Sequence, residues 1–176
     1  MKILHGLTGS IATTLYPKLK KSYIRDELRF IATNSACSIE VLQEPNLIYR
    51  DWDAWYVYNK DKKVLHTELV RWADVLLIAP CSANTLAKIA NGICDNLLTC
   101  VARAWNFEKQ FIIAPSMNTH MLTHPCYQKH IETIQSWGVT VIPPQKKELY
   151  CGDYGDGAMA NLEDIVNSIK QVPKSL

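Results

Sequence analysis

The sequence lacks the features of a secreted or membrane-bound protein. No apolar run approaches the ~20 residues that a helix needs to cross a bilayer. The chain passes from Met1 and Lys2 directly into a short predicted strand, without a signal peptide. It has six cysteines, but no two of them form a C-x-x-C pair. We therefore expect a cytoplasmic protein whose thiols are reduced.

A strong excess of charge is also missing. The formal net charge of the 176 residues is +2, and the basic residues are scattered along the chain. Such a sequence gives no reason to expect binding to nucleic acid. The aromatic stretch from Trp52 to Tyr58 is therefore interpreted as a core or subunit contact rather than as a platform that stacks bases. Because internal repeats and low-complexity segments are absent as well, residues 1–176 are predicted to form one domain.

Strands and helices are predicted to alternate along most of the chain. This alternation predicts a parallel sheet with helices on both faces. The predicted strands are Lys2–His5, Leu28–Thr33, 73–79, Gln110–Ala114 and Val139–Ile142. The predicted helices include 36–42, Leu65–Trp72, 83–91, 127–137 and 162–171. Residues 45–63 are expected to be irregular, and residues 146–156 to form a loop or a hairpin.

Polar turns follow four of the predicted strands. In an open parallel sheet, ligands bind beyond the carboxyl ends of the strands. Each turn taken singly is explained as a helix N-cap, but their recurrence at one sheet edge favours a ligand pocket. Their hydroxyl and amide groups can hold a phosphate, a ribityl chain or the edge of a flavin ring. The turn residues are Gly9, Ser10 and Ile11, then Thr33, Asn34 and Ser35, then Ser82, Ala83, Asn84 and Thr85, and finally Met117 and Asn118.

The first of these turns contains two glycines, Gly6 and Gly9, before Ser10. Glycine lets the backbone approach a ligand, and the following helix offers free N–H groups to an anion. A tight turn with Ser10 as its N-cap explains the pattern equally well. The spacing is not G-x-G-x-x-G, so a dinucleotide is not indicated.

Three further side chains are candidates for chemistry. His66 begins the helix before the third strand and can act as a base or hold a carboxylate, although a lone histidine more often bonds to backbone. Arg71 either pairs with a substrate anion or forms a surface salt bridge with Glu68, and the two interpretations are about equal. Cys151 lies in a glycine-rich polar loop, as an accessible thiol on a lid does, but an inert loop thiol fits as well.

A metal site is not predicted. His120, His124 and Cys126 lie within seven residues, but their spacing fits no standard zinc site and Pro125 interrupts the helical face.

Five blocks of the sequence resemble the homo-oligomeric flavin-containing cysteine decarboxylases. The blocks occur in the order typical of that family and cover nearly the whole chain, so the signal is specific. They are residues 64–74 (VLHTELVRWAD), 79–90 (APCSANTLAKIA), 94–99 (CDNLLT), 114–121 (APSMNTHM) and 151–160 (CGDYGDGAMA). The sequence departs from the usual pattern at Leu122, where the family has tryptophan, and at Tyr150, where it has alanine.

The resemblance implies a flavodoxin-like or Rossmann-like fold with FMN bound between the subunits of a homotrimer. It implies that FMN is contacted by the residues of the first three polar turns, by Ala114 and by Met117. It also implies that His66 is the active-site histidine, that Asn118 holds the substrate carboxylate beside Met121, and that Cys151 donates a proton. A loop around residues 146–160 would clamp the substrate.

The branch of the family that the chain resembles converts 4′-phosphopantothenoylcysteine to 4′-phosphopantetheine in coenzyme A biosynthesis. In the implied reaction, FMN takes two electrons from the cysteinyl thiol group, carbon dioxide leaves, Cys151 protonates the resulting ene-thiolate, and reduced FMN returns the hydride. The protein positions and desolvates the reacting groups.

Three alternatives remain at this stage. The chain resembles decarboxylases of cysteine-ended peptides too, although residues 146–160 fit the pantothenate branch better. A flavin-binding subunit that inhibits a protein phosphatase is a second alternative, but such relatives carry acidic tails or lose the histidine or the cysteine. A flavodoxin-like electron carrier is a third, but carriers tend to be acidic.

Overall fold

A sheet of six parallel strands forms the centre of the part of the chain that the structure describes. The structure is a computed structural model, and it describes residues 1–23, 26–40, 42, 47–148, 152 and 154–171. The strands are β1 (Lys2–Leu7), β2 (Glu27–Ala32), β3 (Ile48–Tyr49), β4 (Val75–Cys81), β5 (Gln110–Pro115) and β6 (Thr140–Val141). A separate antiparallel hairpin consists of β7 (Gln145–Glu148) and β8 (Tyr154–Ala158).

The order of the strands across the sheet is β3-β2-β1-β4-β5-β6. The chain moves outward from β1 to β3, then returns past β1 to begin β4, so the direction of winding changes between β1 and β4. Without the two-residue strand β3, this is the flavodoxin order, and with β3 it is the order of dinucleotide-binding folds. In both folds, ligands bind where the winding direction changes.

Helices cover both faces of the sheet, as the sequence predicts. A 3₁₀ helix, Ile11–Leu15, leads directly into α1. The helices are α1 (Tyr16–Ser22), α2 (Asn34–Ile39), α3 (Asp51–Asp61), α4 (Leu65–Trp72), α5 (Ala83–Ala90), α6 (Leu97–Arg103), α7 (Thr119–Leu122), α8 (Pro125–Ser136) and α9 (Leu162–Lys170).

Alternate residues of each central strand pack on opposite faces, because side chains along a strand alternate in direction. In β4, Leu76 and Ile78 pack in one core cluster with α4, α5, α6 and α8. Val75 and Leu77 pack in a second cluster with α1 and α9. Every residue of β4 is buried, which explains why the sequence of this strand is apolar without interruption.

One prediction about residues 45–63 is wrong. The structure has β3 and the eleven-residue helix α3 where an irregular segment was expected. The helix is hard to read from sequence because none of its residues is fully buried. Ala54 and Val57 pack partly against the core, while Trp52 and Trp55 are 59% and 72% exposed. Because aromatic residues occupy the exposed side of α3, its sequence shows no amphipathic pattern.

Smaller differences concern where helices begin and end. Helix α2 begins at Asn34 rather than at residue 36, since the Thr33 hydroxyl caps it by accepting the Ala36 N–H. The one-turn helix α7 was not predicted. The stretch 146–156 forms a hairpin in its described residues, which agrees with one of the two predicted forms.

Candidate active site

A cleft of about 880 Å³ lies at the carboxyl ends of β1, β2, β4 and β5, where the winding direction changes. Its volume is typical of a site for a cofactor together with a small substrate. All four polar turns line it. The predicted site residues in its walls are Gly9, Ser10, Ile11, Thr33, Asn34, Ser35, Ser82, Ala83, Asn84, Thr85, Met117, Asn118 and Met121.

The first two turns touch each other at Gly9. A Cβ atom at this position would lie 2.6 Å from the Cβ of Ser35, which is too close for any side chain. Glycine is therefore needed so that the turn after β1 can pack against the start of α2. This contact brings two polar turns from neighbouring strands into one wall.

Hydrogen bonds join the turns after β1, β4 and β5. The Thr8 hydroxyl donates to the Pro80 carbonyl at 2.8 Å and accepts the Ser82 N–H, also at 2.8 Å. The Ser10 hydroxyl lies 3.0 Å from the Ser116 hydroxyl across the cleft floor. These bonds fix the relative positions of the turns before a ligand arrives, which lowers the entropic cost of binding.

Each polar turn also caps the helix that follows it. The side chains of Ser10, Thr33, Ser82 and Asn118 accept the N–H of a residue two or three positions later. The N-cap explanation and the pocket explanation are thus both correct, because several capped helix starts meet at one cleft. The partial positive charge at these helix starts favours a bound anion such as a phosphate.

The residues of the cleft fit a flavin mononucleotide. Helix starts and hydroxyl groups suit its phosphate and its ribityl chain. Apolar side chains that suit a flat ring come from several elements, namely Ile11, Leu15, Met117, Met121, Met159 and Leu162.

Charged residues form one ion pair at the rim. Lys88 Nζ lies 2.6 Å from Asp95 Oδ2, and this hydrogen bond lowers the pKa of the Asp95 carboxyl. Asn96 follows and caps α6 through the Thr99 N–H. Asp51 at the start of α3 accepts the Leu97 N–H at 2.9 Å, so α3 and α6 begin beside the cleft.

Three predicted site residues do not line this cleft. Ala114 is fully buried in β5 and packs in the core cluster with α1 and α9, so it does not line the cleft of its own chain, and its contact with FMN stays a prediction. Arg71 forms the salt bridge with Glu68, at 2.9 Å, and its side chain is 76% exposed. The surface interpretation of Arg71 is therefore the one that the structure supports.

His66 is half-buried in the first turn of α4 and does not line the cleft of its own chain. Because α4 ends just before β4 begins, its first turn points toward the sheet edge that carries the cleft. Helix α6 contacts both α4 and α5. His66 therefore lies outside the cleft of its own chain, and its role as the active-site histidine stays a prediction. Cys151 lies outside the described residues.

The sequence did not single out several residues that line the cleft. Lys18 lies on α1, and Gln145 begins β7. Their positions depend on the packing of distant elements, which no local pattern shows. By contrast, residues 157–160 were within the fifth block of the resemblance.

The hairpin is attached to the cleft at Gly157. The Met117 N–H donates to the Gly157 carbonyl at 3.0 Å, and a Cβ atom at Gly157 would collide with the Met117 carbonyl oxygen. The described ends of the predicted clamp thus reach the fourth polar turn.

Two buried titratable groups lie behind the cleft. Burial lowers the pKa of His5 in β1 to about 4, although its Nε2 donates to the Ala79 carbonyl at 2.6 Å. Burial also raises the pKa of the Cys81 thiol. Cys81 packs in the core, so neither group is available to a substrate.

A model of the family described as Flavoprotein matches residues 1–174. The chain belongs to this flavoprotein family. Helices formed by the described residues include none that is long and apolar enough to span a membrane.

Three relatives illustrate the similarity. A probable phosphopantothenoylcysteine decarboxylase of Arabidopsis thaliana is 44% identical over 176 residues, which cover 96% of this chain and 87% of that protein. A solved structure of a cysteine-to-serine mutant of PPC decarboxylase, complexed with pantothenoylaminoethenethiol, is 44% identical and matches with a TM-score of 0.91, covering 96% of both chains. The FMN binding protein AtHal3 is 44% identical and matches with a TM-score of 0.86, covering 96% of this chain and 94% of that one. The flavodoxin-like fold is therefore the fold of this chain.

Proposed function

We propose that this protein is an FMN-dependent decarboxylase that converts 4′-phosphopantothenoylcysteine to 4′-phosphopantetheine in coenzyme A biosynthesis. One observation carries the proposal. Four polar turns meet in a cleft of about 880 Å³ at the switch point of the sheet, in a chain that matches phosphopantothenoylcysteine decarboxylases over nearly its full length.

The polar turns hold the cofactor in this proposal. Ser10, Thr33 and Ser82 fix the starts of three helices, whose N–H groups and dipoles stabilise the phosphate. The amide and hydroxyl groups of Asn84 and Thr85 are suited to the ribityl chain or the ring edge. When bound, FMN supplies a two-electron acceptor for the thiol group of the substrate.

Asn118 positions the substrate carboxylate. Its side-chain oxygen accepts the His120 N–H at 2.8 Å, which orients the amide group at the cleft wall. The neighbouring side chains of Met117 and Met121 give this part of the cleft an apolar lining. A carboxylate that is held by an amide and stripped of water loses carbon dioxide more easily than a hydrated one.

Cys151 donates the proton that the decarboxylated ene-thiolate accepts before its two-electron reduction to the product. In the sequence it lies between β7 and β8, the two strands of the hairpin that is attached to the cleft at Gly157. The similar structure of a cysteine-to-serine PPC decarboxylase mutant contains an ene-thiol compound. Such a compound is what remains when decarboxylation proceeds and protonation fails.

His66 acts in the cleft of a neighbouring subunit. It lies at the correct edge of the sheet but outside its own cleft, so an adjacent copy can receive it. Helix α3, which contacts α4, exposes Trp52, Trp55 and Tyr56. Exposed aromatic clusters are typical of protein interfaces. We therefore propose a homotrimer with FMN between its subunits, and a cytoplasmic setting that suits the free thiols of the described cysteines.

The test combines colour with turnover. The purified protein should show flavin absorbance, and incubation with phosphopantothenoylcysteine should give a product that mass spectrometry identifies as 4′-phosphopantetheine. A flavin-containing protein that leaves this substrate unchanged would favour a regulatory subunit. Turnover of cysteine-ended peptides alone would favour the peptide decarboxylase.

A further inference from the structure

The cleft is lined by a lysine side chain that has no ion-pair partner among the described residues. Three lysines line the cleft, namely Lys18, Lys88 and Lys147. Lys88 is paired with Asp95 at 2.6 Å. Among the described residues, neither Lys18 nor Lys147 has an ion-pair partner within 4.0 Å.

Lys18 lies on a continuous helical face that extends away from the glycine turn. Ile11, Thr14, Leu15 and Lys18 all line the cleft, and they follow the spacing of one face of a helix. The 3₁₀ helix and α1 rise about 1.5–2 Å per residue, so Lys18 is about 10–14 Å from Ile11 along the helix axis. This distance separates it from the polar turns that suit the flavin.

The charge of Lys18 is not explained by its helix. Cations stabilise the last turn of a helix, where Lys20 and Lys21 lie, whereas Lys18 is the third residue of α1. Helix α1 itself has no acidic residue that could pair with Lys18. Lys147, by contrast, is followed by Glu148, which also lines the cleft.

We propose that Lys18 binds the phosphate monoester of the substrate and makes the cleft prefer phosphorylated pantothenate derivatives. This inference rests on the proposed function, which places a phosphate at the end of the substrate opposite its cysteinyl carboxylate. With the carboxylate at Asn118, the phosphate must reach the outer part of the cleft, where Lys18 supplies a charge-assisted hydrogen bond. FMN carries a phosphate monoester too, so the experiment must separate the two.

The experiment measures binding of 4′-phosphopantetheine and of pantetheine to the FMN-loaded protein by calorimetry. In the wild type, the phosphorylated compound should bind more tightly. Lys18→Ala should weaken binding of 4′-phosphopantetheine about 10- to 100-fold and leave pantetheine binding unchanged. Lys18→Arg should retain part of the preference, and Lys21→Ala, an exposed lysine of the same helix outside the cleft, should retain all of it.

Four results would overturn the inference. The first is that the wild type binds both compounds equally tightly, and the second is that Lys18→Ala weakens the binding of both compounds to the same extent. The third is that Lys18→Ala loses FMN. The fourth is that Lys147→Ala, and not Lys18→Ala, loses the preference for the phosphorylated compound. The binding assay does not depend on turnover. A wild type that binds with the expected preference but does not decarboxylate would count against the proposed function alone.

Discussion

The main-chain N–H of Met117 donates a hydrogen bond to the carbonyl of Gly157, with 3.0 Å between nitrogen and oxygen. Met117 belongs to the turn after β5 and Gly157 to the second strand of the hairpin. The bond therefore connects the wall of the cleft to the hairpin. Cys151, the proposed proton donor, lies between the two strands of this hairpin in the sequence. The close approach is possible because Gly157 has no side chain.

Gly157→Ala should separate the hairpin from the cleft. A methyl group at this position would meet the Met117 carbonyl oxygen, and the φ of 154° is one that other residues rarely adopt. We expect a loss of about 1–3 kcal/mol in the free energy of unfolding and at least a tenfold drop in kcat/KM. Urea unfolding and steady-state kinetics measure these two effects.

Gly138→Ala is the matched control. Gly138 also has a positive φ, 91°, but no atom lies within 4 Å of the position that a Cβ would occupy there, and the residue follows α8 away from the cleft. This variant should lose stability and keep its kcat/KM per folded molecule. If both variants kept full activity, the hairpin contact at Gly157 would have no role in the reaction.

His66→Asn should abolish decarboxylation while FMN stays bound. The polar turns that hold the cofactor do not include His66, and loss of a catalytic acid or base lowers rates about 10²- to 10⁴-fold. Turnover and flavin absorbance of the purified variant are the two readouts. His130→Asn, on α8 and outside the cleft, should behave as the wild type.

Mixed oligomers show whether His66 acts across an interface. Subunits with His66→Asn have an intact cleft, and subunits with Asn118→Ala have an intact histidine. Coexpression of the two should restore part of the activity that each lacks alone. No recovery in oligomers shown to contain both subunits would place the site within one chain and contradict the proposed arrangement.

Cys151→Ser should decarboxylate its substrate but release an oxidised product. Because serine does not supply the proton, we expect the ene-thiol, which has two hydrogens fewer than 4′-phosphopantetheine. Mass spectrometry distinguishes the two compounds. Cys126→Ser, at an exposed cysteine of α8, is the control and should give the normal product. The normal product from Cys151→Ser would mean that another group donates the proton.

His5 should make the protein less stable in mild acid. Burial lowers its pKa to about 4, below the value of 6.5 for an exposed histidine. The unfolded chain therefore binds a proton between about pH 6.5 and pH 4 that the folded chain does not bind. Stability is fully present above pH 6.5 and falls by up to about 3 kcal/mol as the pH decreases through this range.

The comparison of wild type with His5→Gln isolates this effect from other groups. The free energy of unfolding, measured in urea at pH 7 and at pH 5, shows how strongly the stability of each protein depends on pH. The variant should be less stable at pH 7, since it disturbs the bond to Ala79, but it should depend less on pH. Equal slopes for the two proteins would show that His5 does not titrate on unfolding.

The polar turns could be predicted from sequence because their signals are local. A buried apolar strand followed by a capping hydroxyl or amide is visible in a few residues, as at Ile78 and Ser82. The parallel order of the strands then brings the turns together. The prediction of a pocket at the sheet edge therefore required only the local pattern of apolar strands followed by polar turns, and the rule that ligands bind at the carboxyl ends of parallel strands.

The remaining parts of the site depend on contacts between distant residues. Lys18 reaches the cleft because α1 packs beside α9, and Gly157 reaches it through Met117, forty residues earlier in the chain. Helix α3 was missed because its stability comes from partial burial of Ala54 and Val57 rather than from a clear apolar stripe. That His66 lies outside the cleft of its own chain could not be predicted, because sequence order does not show that α6 packs against both α4 and α5.

The most direct measurement uses phosphopantothenoylcysteine labelled in its cysteinyl carboxylate. The account predicts that FMN-loaded protein releases the label as carbon dioxide in proportion to the 4′-phosphopantetheine formed, and that protein stripped of FMN releases none until FMN is added back. Label retained in the substrate after incubation with fully FMN-loaded protein would contradict it.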